Sequence, residues 1–350
     1  MLTKNDKRVG RWLLACSGMC FGAIVIGGIT RLTESGLSIT QWNVIKGMRP
    51  PRTEDEWEKE FTEYKKYPEY KYLERELTLE GFKKIFFWEY IHRMWGRSIG
   101  LVFLLPAVFF WKKGYFNKGM KIRTLIYGSL IGAQGVLGWY MVKSGLEEHN
   151  ESTITPRVSQ YRLAAHLTSA LVLYSLFFYQ GLNHLLEPQQ FAMTSAVKRL
   201  KMMNHTIKAL VVLTAISGAF VAGLDGGLVY NTWPKMADKW IPDDLMAITP
   251  KWKNAFENVA TVQFIHRHLG ELTGGLIFIT WLYSRKVKLP PRAKFIINCL
   301  AAAGLLQGLL GIATLLSFVP VHLASAHQGG AVTVLSFALW VTHELRRMPK

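Results

Sequence analysis

The apolar residues of this chain are gathered into blocks of about 20, the length that carries a helix across a bilayer core. The blocks fall at about 12–30, 86–111, 124–142, 162–182, 207–224, 259–283, 295–316 and 320–343. Eight such helices take up nearly half of the 350 residues and leave little for separate globular domains. The chain therefore reads as an all-α membrane protein with eight transmembrane helices.

Charge then sets the orientation. The net charge of +18, from 42 Lys and Arg against 24 Asp and Glu, would suit a nucleic-acid binder if it were spread over a soluble surface. It is not. Lys112, Lys113, Lys118, Lys121 and Arg123 share one loop, Lys198, Arg199 and Lys201 a second, and Arg285, Lys286, Lys288, Arg292 and Lys294 a third. With both tails, that side holds 20 basic and three acidic residues, so the positive-inside rule places both termini and these loops inside. Nucleic acid is excluded as a partner, and membrane lipid is implied. The first outer loop, residues 31–85, balances 11 basic against 11 acidic residues, and its run Trp57-Glu-Lys-Glu-Phe-Thr-Glu-Tyr reads as one or two amphipathic helices near the surface. The second sizeable outer loop spans 225–258. Cys16, Cys20 and Cys299 all lie in apolar blocks and read as small packing groups.

The chain also repeats itself. Glu89-Tyr-Ile-His92-Arg93-Met-Trp-Gly96 matches Gln263-Phe-Ile-His266-Arg267-His-Leu-Gly270 at an offset of 174, and Gln134-Gly-Val-Leu-Gly138 matches Gln307-Gly-Leu-Leu-Gly311 at 173. Ala164-Ala-His166-Leu pairs with Ser325-Ala-His327-Gln. Each unit has an even number of spans, so both copies lie the same way up. Two tandem pseudo-symmetric four-helix bundles follow, residues 1–183 with outer loop 31–85 and residues 184–350 with outer loop 225–258.

Of ten histidines, only His92, His166, His266 and His327 occupy repeat-equivalent positions. Each comes about four to seven residues into a helix that runs inward, roughly 6 to 11 Å below the outer boundary. Two imidazoles on different helices of one bundle, at one level, suit bis-histidine haem ligation. The plainer reading of a membrane histidine, a hydrogen bond to a neighbouring helix, does not account for four of them at matching depth. Zinc lacks its further ligands. His149, His184, His205 and His343 fall in loops or at helix ends and are expected to face solvent.

Glu89 stands one turn outward of His92 on the same face, and its copy is Gln263. An acid inside the membrane is a functional candidate by default, and only the first half has one beside its histidine. Chemistry is therefore expected in the N-terminal half, and a haem for structure or electron transfer in the other. The competing role for Glu89 is a simple ion pair with Arg93 or Arg97. Arg31, Arg93, Arg162 and Arg267, near the outer helix ends, suit either haem propionates or interfacial snorkelling.

Together these residues resemble the haem A synthase family over essentially the whole chain. The matching segments are Gly27-Gly-Ile-Thr-Arg-Leu-Thr-Glu-Ser-Gly-Leu-Ser38, Glu89 to Arg93, Tyr161-Arg-Leu-Ala-Ala-His166, Gly223-Leu-Asp-Gly-Gly-Leu-Val-Tyr-Asn-Thr-Trp-Pro234, Glu257 to Arg267, and His327-Gln. The resemblance implies oxidation of the C8 methyl of haem O to the formyl of haem A, for cytochrome c oxidase. His92 and His166 would flank substrate haem O, Glu89 would be the catalytic carboxylate, and His266 and His327 would ligate haem b. It further implies a mitochondrial inner-membrane protein with both termini in the matrix, or a bacterial plasma-membrane one. Haem O synthase, a ferredoxin-type electron donor, oxidase assembly factors and a homo-oligomer would be its partners. Two departures stand out: the outer loops lack the cysteine pair of some bacterial members, and no Arg- and Ser-rich presequence precedes the first helix. A di-haem b electron carrier and a parallel-repeat transporter are the rival readings. The Glu89/Gln263 asymmetry argues against the first, and the scarcity of polar residues in the inner helix halves against the second.

Overall fold

Each apolar block falls on a helix. The helices over the first, second, third and fifth blocks run on through polar residues beyond them, whereas those over the last three match theirs closely. The computed structural model describes residues 2–43, 46–72, 77–147 and 157–346. In chain order its helices are α1 (Lys4–Leu32), α2 (Glu54–Tyr64), α3 (Pro68–Tyr72), α4 (Leu79–Lys112), α5 (Lys118–Glu147), α6 (Gln160–Leu185), α7 (Ser195–Gly223), α8 (Asn254–Glu257), α9 (Val259–Ser284), α10 (Pro291–Leu316) and α11 (Val321–Glu344). The Thr3 side chain accepts from Asp6 N–H while Asp6 closes a capping box, which starts α1 well before its apolar block. Thr78, Thr194 and Asn258 cap α4, α7 and α9 in the same way.

Eight long helices thus occupy the eight apolar blocks. Six of them, α1, α4, α5, α6, α7 and α10, are long and apolar enough to cross a membrane. The two outside that group, α9 and α11, carry His266, Arg267, His268 and Glu271, and His322, His327 and Gln328.

α1 packs on α4 and α6, and α5 closes the ring between α4 and α6; α7, α9, α10 and α11 form a second ring. The two meet where α1 and α6 face α7 and α11. Lipid is as apolar as a leucine, so this seam gains from close packing and buried polar bonds rather than from release of water. Leu13, Cys16 and Cys20 of α1, Phe177 of α6, Ile207 of α7, and Leu335 and Ala338 of α11 fill it. Tyr174 Oη and Ser336 Oγ, 2.6 Å apart, pin it across the two halves. α5 and α10 lie away from the seam and leave Leu125, Val136, Leu305 and Leu306 more than 60% exposed, as lipid-facing residues should be.

Outside the membrane level, α2 is the amphipathic helix anticipated at Trp57. Its Phe61 and Tyr64 are buried against Phe82, Ile85 and Phe86 at the start of α4.

The inner end brings a correction. His343, expected to face solvent, is fully buried, with Nδ1 3.2 Å from Glu344 Oε1. Arg292 and Arg346 donate to the Glu187 and Leu186 carbonyls and draw the segment between the halves over the end of α11. His184 is likewise half-buried, 3.6 Å from Asp6. His205 is exposed as anticipated, and His149 lies outside the described residues.

Candidate functional site

His92 on α4, His166 on α6, His266 on α9 and His327 on α11 all line one continuous cavity of about 1960 Å³. A single small-molecule site occupies roughly 300–1,000 Å³, so this volume has room for two large planar ligands.

Each imidazole is backed by a glycine on the helix before its own. A Cβ at Gly27 would stand 2.9 Å from His92 Cε1, and one at Gly311 only 2.7 Å from His327 Cε1. The same contact is 3.0 Å for Gly218 against His266 and 3.4 Å for Gly138 against His166. At Gly27, Gly218 and Gly311 only a bare backbone lets the ring stand where it does, whereas a Cβ at Gly138 would make an ordinary contact.

In the C-terminal half, the rings of His266 and His327 have centres 6.3 Å apart and planes at 87°. Metal–nitrogen bonds of about 2 Å, and about 1.1 Å from nitrogen to ring centre, put the axial imidazoles of one haem iron about 6.2 Å apart. The pair fits the group. The ring of His266 is also prepared. His266 Nδ1 lies 3.1 Å from Thr214 O, which can only accept, and 2.9 Å from Ser217 Oγ. Nδ1 therefore carries the proton and Nε2 keeps its lone pair for a metal. Gln307 Nε2 sits 2.8 Å from His327 O and 3.1 Å from its Nδ1.

The N-terminal pair differs. His92 Nδ1 and His166 Nδ1 are buried and, among the described residues, have no hydrogen-bond partner. Gln134, the repeat copy of Gln307, donates to His166 O at 3.2 Å and accepts from Ser169 Oγ at 2.8 Å, without reaching the ring.

Glu89 is buried at 2% exposure. Its Oε2 accepts from Ser38 Oγ and Ile39 N–H, both at 2.7 Å, and its Oε1 from Arg93 Nε at 3.0 Å and Nη2 at 2.6 Å. Four donors on two oxygens describe an ionised carboxylate. The ion pair with Arg93 is therefore present, and Arg93 also donates to the Ile39 and Gln41 carbonyls and stacks 4.7 Å over Trp42. The second half copies this device with one change. Arg267 donates to the Thr232, Pro234 and Lys235 carbonyls, but Gln263 gives its amide N–H to Tyr230 O at 3.0 Å. At position 89 the loop offers a donor, and at 263 an acceptor.

Arg31, Arg93, Arg267 and Glu271 line the cavity beside the histidines and Glu89. Arg162 is not among the lining residues, and its guanidinium stacks 5.0 Å from the Tyr140 ring centre. Arg31 is held by Asp225 Oδ1 at 3.0 Å, and Arg157 by Asp225 Oδ2 at 2.6 Å. The sequence reading did not single out Asp225, Arg157, Ser38, Ser217 or Gly218. Only Gly138 and Gly311 stood inside a visible repeat.

A family model described as cytochrome oxidase assembly protein (COX15-CtaA) matches residues 10–339. The chain belongs to that family. Among its relatives, "Heme A synthase COX15" of Homo sapiens is 52% identical over 345 residues, covering 99% of this chain and 84% of the relative. "Heme A synthase" of Rhodospirillum centenum is 44% identical over 340 residues, covering 97% and 89%. "Heme A synthase COX15" of Saccharomyces cerevisiae is 41% identical over 375 residues, covering 98% and 76%. These family members are similar to the chain from end to end, so the site residues of both halves fall inside the matched region.

Proposed function

We propose that this protein is a haem A synthase that oxidises the C8 methyl of haem O to a formyl group. The observation that carries this reading is one cavity, with room for two macrocycles, lined by both histidine pairs and by Glu89, the acid one helical turn from His92. The names of its relatives agree with it.

The halves divide the work. A haem b between His266 and His327 would supply one-electron transfer. Hydrogen-bonded Nδ1 atoms strengthen a histidine as a metal ligand, and their loss typically costs 10- to 100-fold in affinity. That support is built around His266 and missing around His92 and His166, which suits a resident group in residues 184–350 and a substrate that must leave in residues 1–183. With water as the oxygen source, converting the methyl to the formyl consumes one water and releases four protons and four electrons, the electrons passing singly to an external one-electron acceptor. Glu89 stabilises positive charge developing at the carbon and takes up a proton. Arg31, Arg93 and Arg267 are placed for propionates, each already tied to the loops or to Asp225.

This reading makes all eight long helices membrane spans in two four-helix bundles. Of the polar groups that hold α9 and α11 outside the apolar group, His266, Arg267, Glu271, His327 and Gln328 line the cavity. The loop charges put both termini on the inner side, the matrix if the membrane is the mitochondrial inner membrane. Haem O synthase upstream and oxidase assembly factors complete the setting. Extracting the haem from purified protein and weighing it by mass spectrometry tests the proposal. Haem O or haem A supports it, haem b alone points to a di-haem electron carrier, and no haem removes both.

A further inference from the structure

The outer cap hides a second acid. Glu69 on α3 is 5% exposed, and among the described residues its carboxyl accepts one hydrogen bond, from Tyr64 Oη, at 3.3 Å. Tyr64 is itself fully buried in the cluster with Phe61, Phe82, Ile85 and Phe86. Ile85 and Phe86 precede Glu89 by one helical turn, so this cluster lies one turn outward of Glu89. The groups acting on Glu69 are Glu89 from α4, Tyr64 from α2 and Arg31 from α1. Among the described residues, no cation bonds it directly. A buried carboxyl in that setting costs more than a glutamine or leucine of similar size, and such groups cluster where a proton has work to do.

We infer that Glu69 is a positioning residue for Glu89, the outer member of a carboxyl pair that holds one proton between them and passes the surplus to the outer water. The inference rests on Glu89 acting as the proton acceptor. In the structure Glu89 is ionised, and the proton belongs on Glu69. When Glu89 takes a proton from the reaction, its negative charge disappears and Glu69 releases its own through the α2–α3 cap. The buried pair then keeps one negative charge throughout, and no bond but O–H is made or broken. Burial first, then the charge of Glu89, pushes the Glu69 carboxyl up to about 8, against an ordinary 4.5. The sign follows. Glu69 stays protonated through neutral pH, and proton release from it sets in only as pH rises through about 8.

The test uses Glu69→Gln in the full-length protein in nanodiscs. In wild type, infrared spectra should show a carboxylic-acid C=O band at neutral pH that fades through pH 8, and Glu69→Gln should lack it. Glu69→Gln should keep its haem but lose roughly tenfold or more in haem A formation, together with the limb of the pH profile centred near 8. Tyr64→Phe removes a bond that lowers the Glu69 value, so it should move both band and limb to higher pH, and it stands in if Glu69→Gln does not fold. An unchanged band and an unchanged pH profile in these variants overturn the inference. Wild-type protein that holds haem but makes no haem A overturns the proposed function instead, and the infrared band still decides where the proton resides.

Discussion

Residue 89 is defined by what the loop after α1 offers it. Ser38 and Ile39 present donors, and Arg93 presents two more, so a carboxylate satisfies all four and an amide cannot. In Glu89→Gln the amide N–H₂ must face one of these donors. The variant is expected to lose roughly 10²- to 10³-fold in haem A formation while keeping the haem between His266 and His327, whose ring contacts come from α7 and α10. The measurement is the haem A to haem O ratio by mass beside the bis-histidine absorbance. A wild-type ratio removes Glu89 from the chemistry. Loss of the C-terminal haem instead makes it a structural ion pair.

Between neighbouring helices, the distance from glycine to imidazole grades the outcome. Adding a methyl at Gly311 forces a contact of 2.7 Å on His327 and at Gly27 one of 2.9 Å on His92, but at Gly138 only 3.4 Å on His166. Gly311→Ala should therefore lose the C-terminal haem, Gly27→Ala should lose substrate turnover with that haem intact, and Gly138→Ala should be close to neutral. Difference spectra and haem A yield separate the three. Equal loss in all three would show that the glycines merely space the helices. The helices and four histidines were legible in the sequence because apolar block length and the offset of 174 need no knowledge of packing. The glycine behind each ring was not, because Gly27 and His92 meet only after α1 and α4 pack. The burial of His343 escaped for the same reason: its ring meets Tyr179 of α6, in the other half, only after α6 and α11 pack. Nor could the apolar blocks reveal helix ends, which Thr3 and Thr78 set from outside the membrane.

Across the whole molecule, α1 serves both sites. Gly27 touches His92, and Gly28 faces Gln328, the neighbour of His327, so a shift of this helix disturbs the two halves together. What fixes its outer end is Asp225, at the close of α7, between Arg31 and Arg157. Asp225 holds a left-handed φ of 53°, which Asp and Asn tolerate better than other side chains. Asp225→Ala removes an ionic bond from each of two guanidinium groups that also bond the Gly223 carbonyl and should cost about 2 kcal/mol, read as a lower melting temperature in nanodiscs. Asp225→Asn keeps the backbone and one acceptor and should lose less. The discriminating readout is which haem goes. If the clasp holds the seam between halves, Asp225→Ala weakens both sites in parallel, whereas Gly27→Ala affects one. Selective loss of a single haem in Asp225→Ala would confine its influence to Arg31 and leave α1 anchored by its packing on α6 and α11.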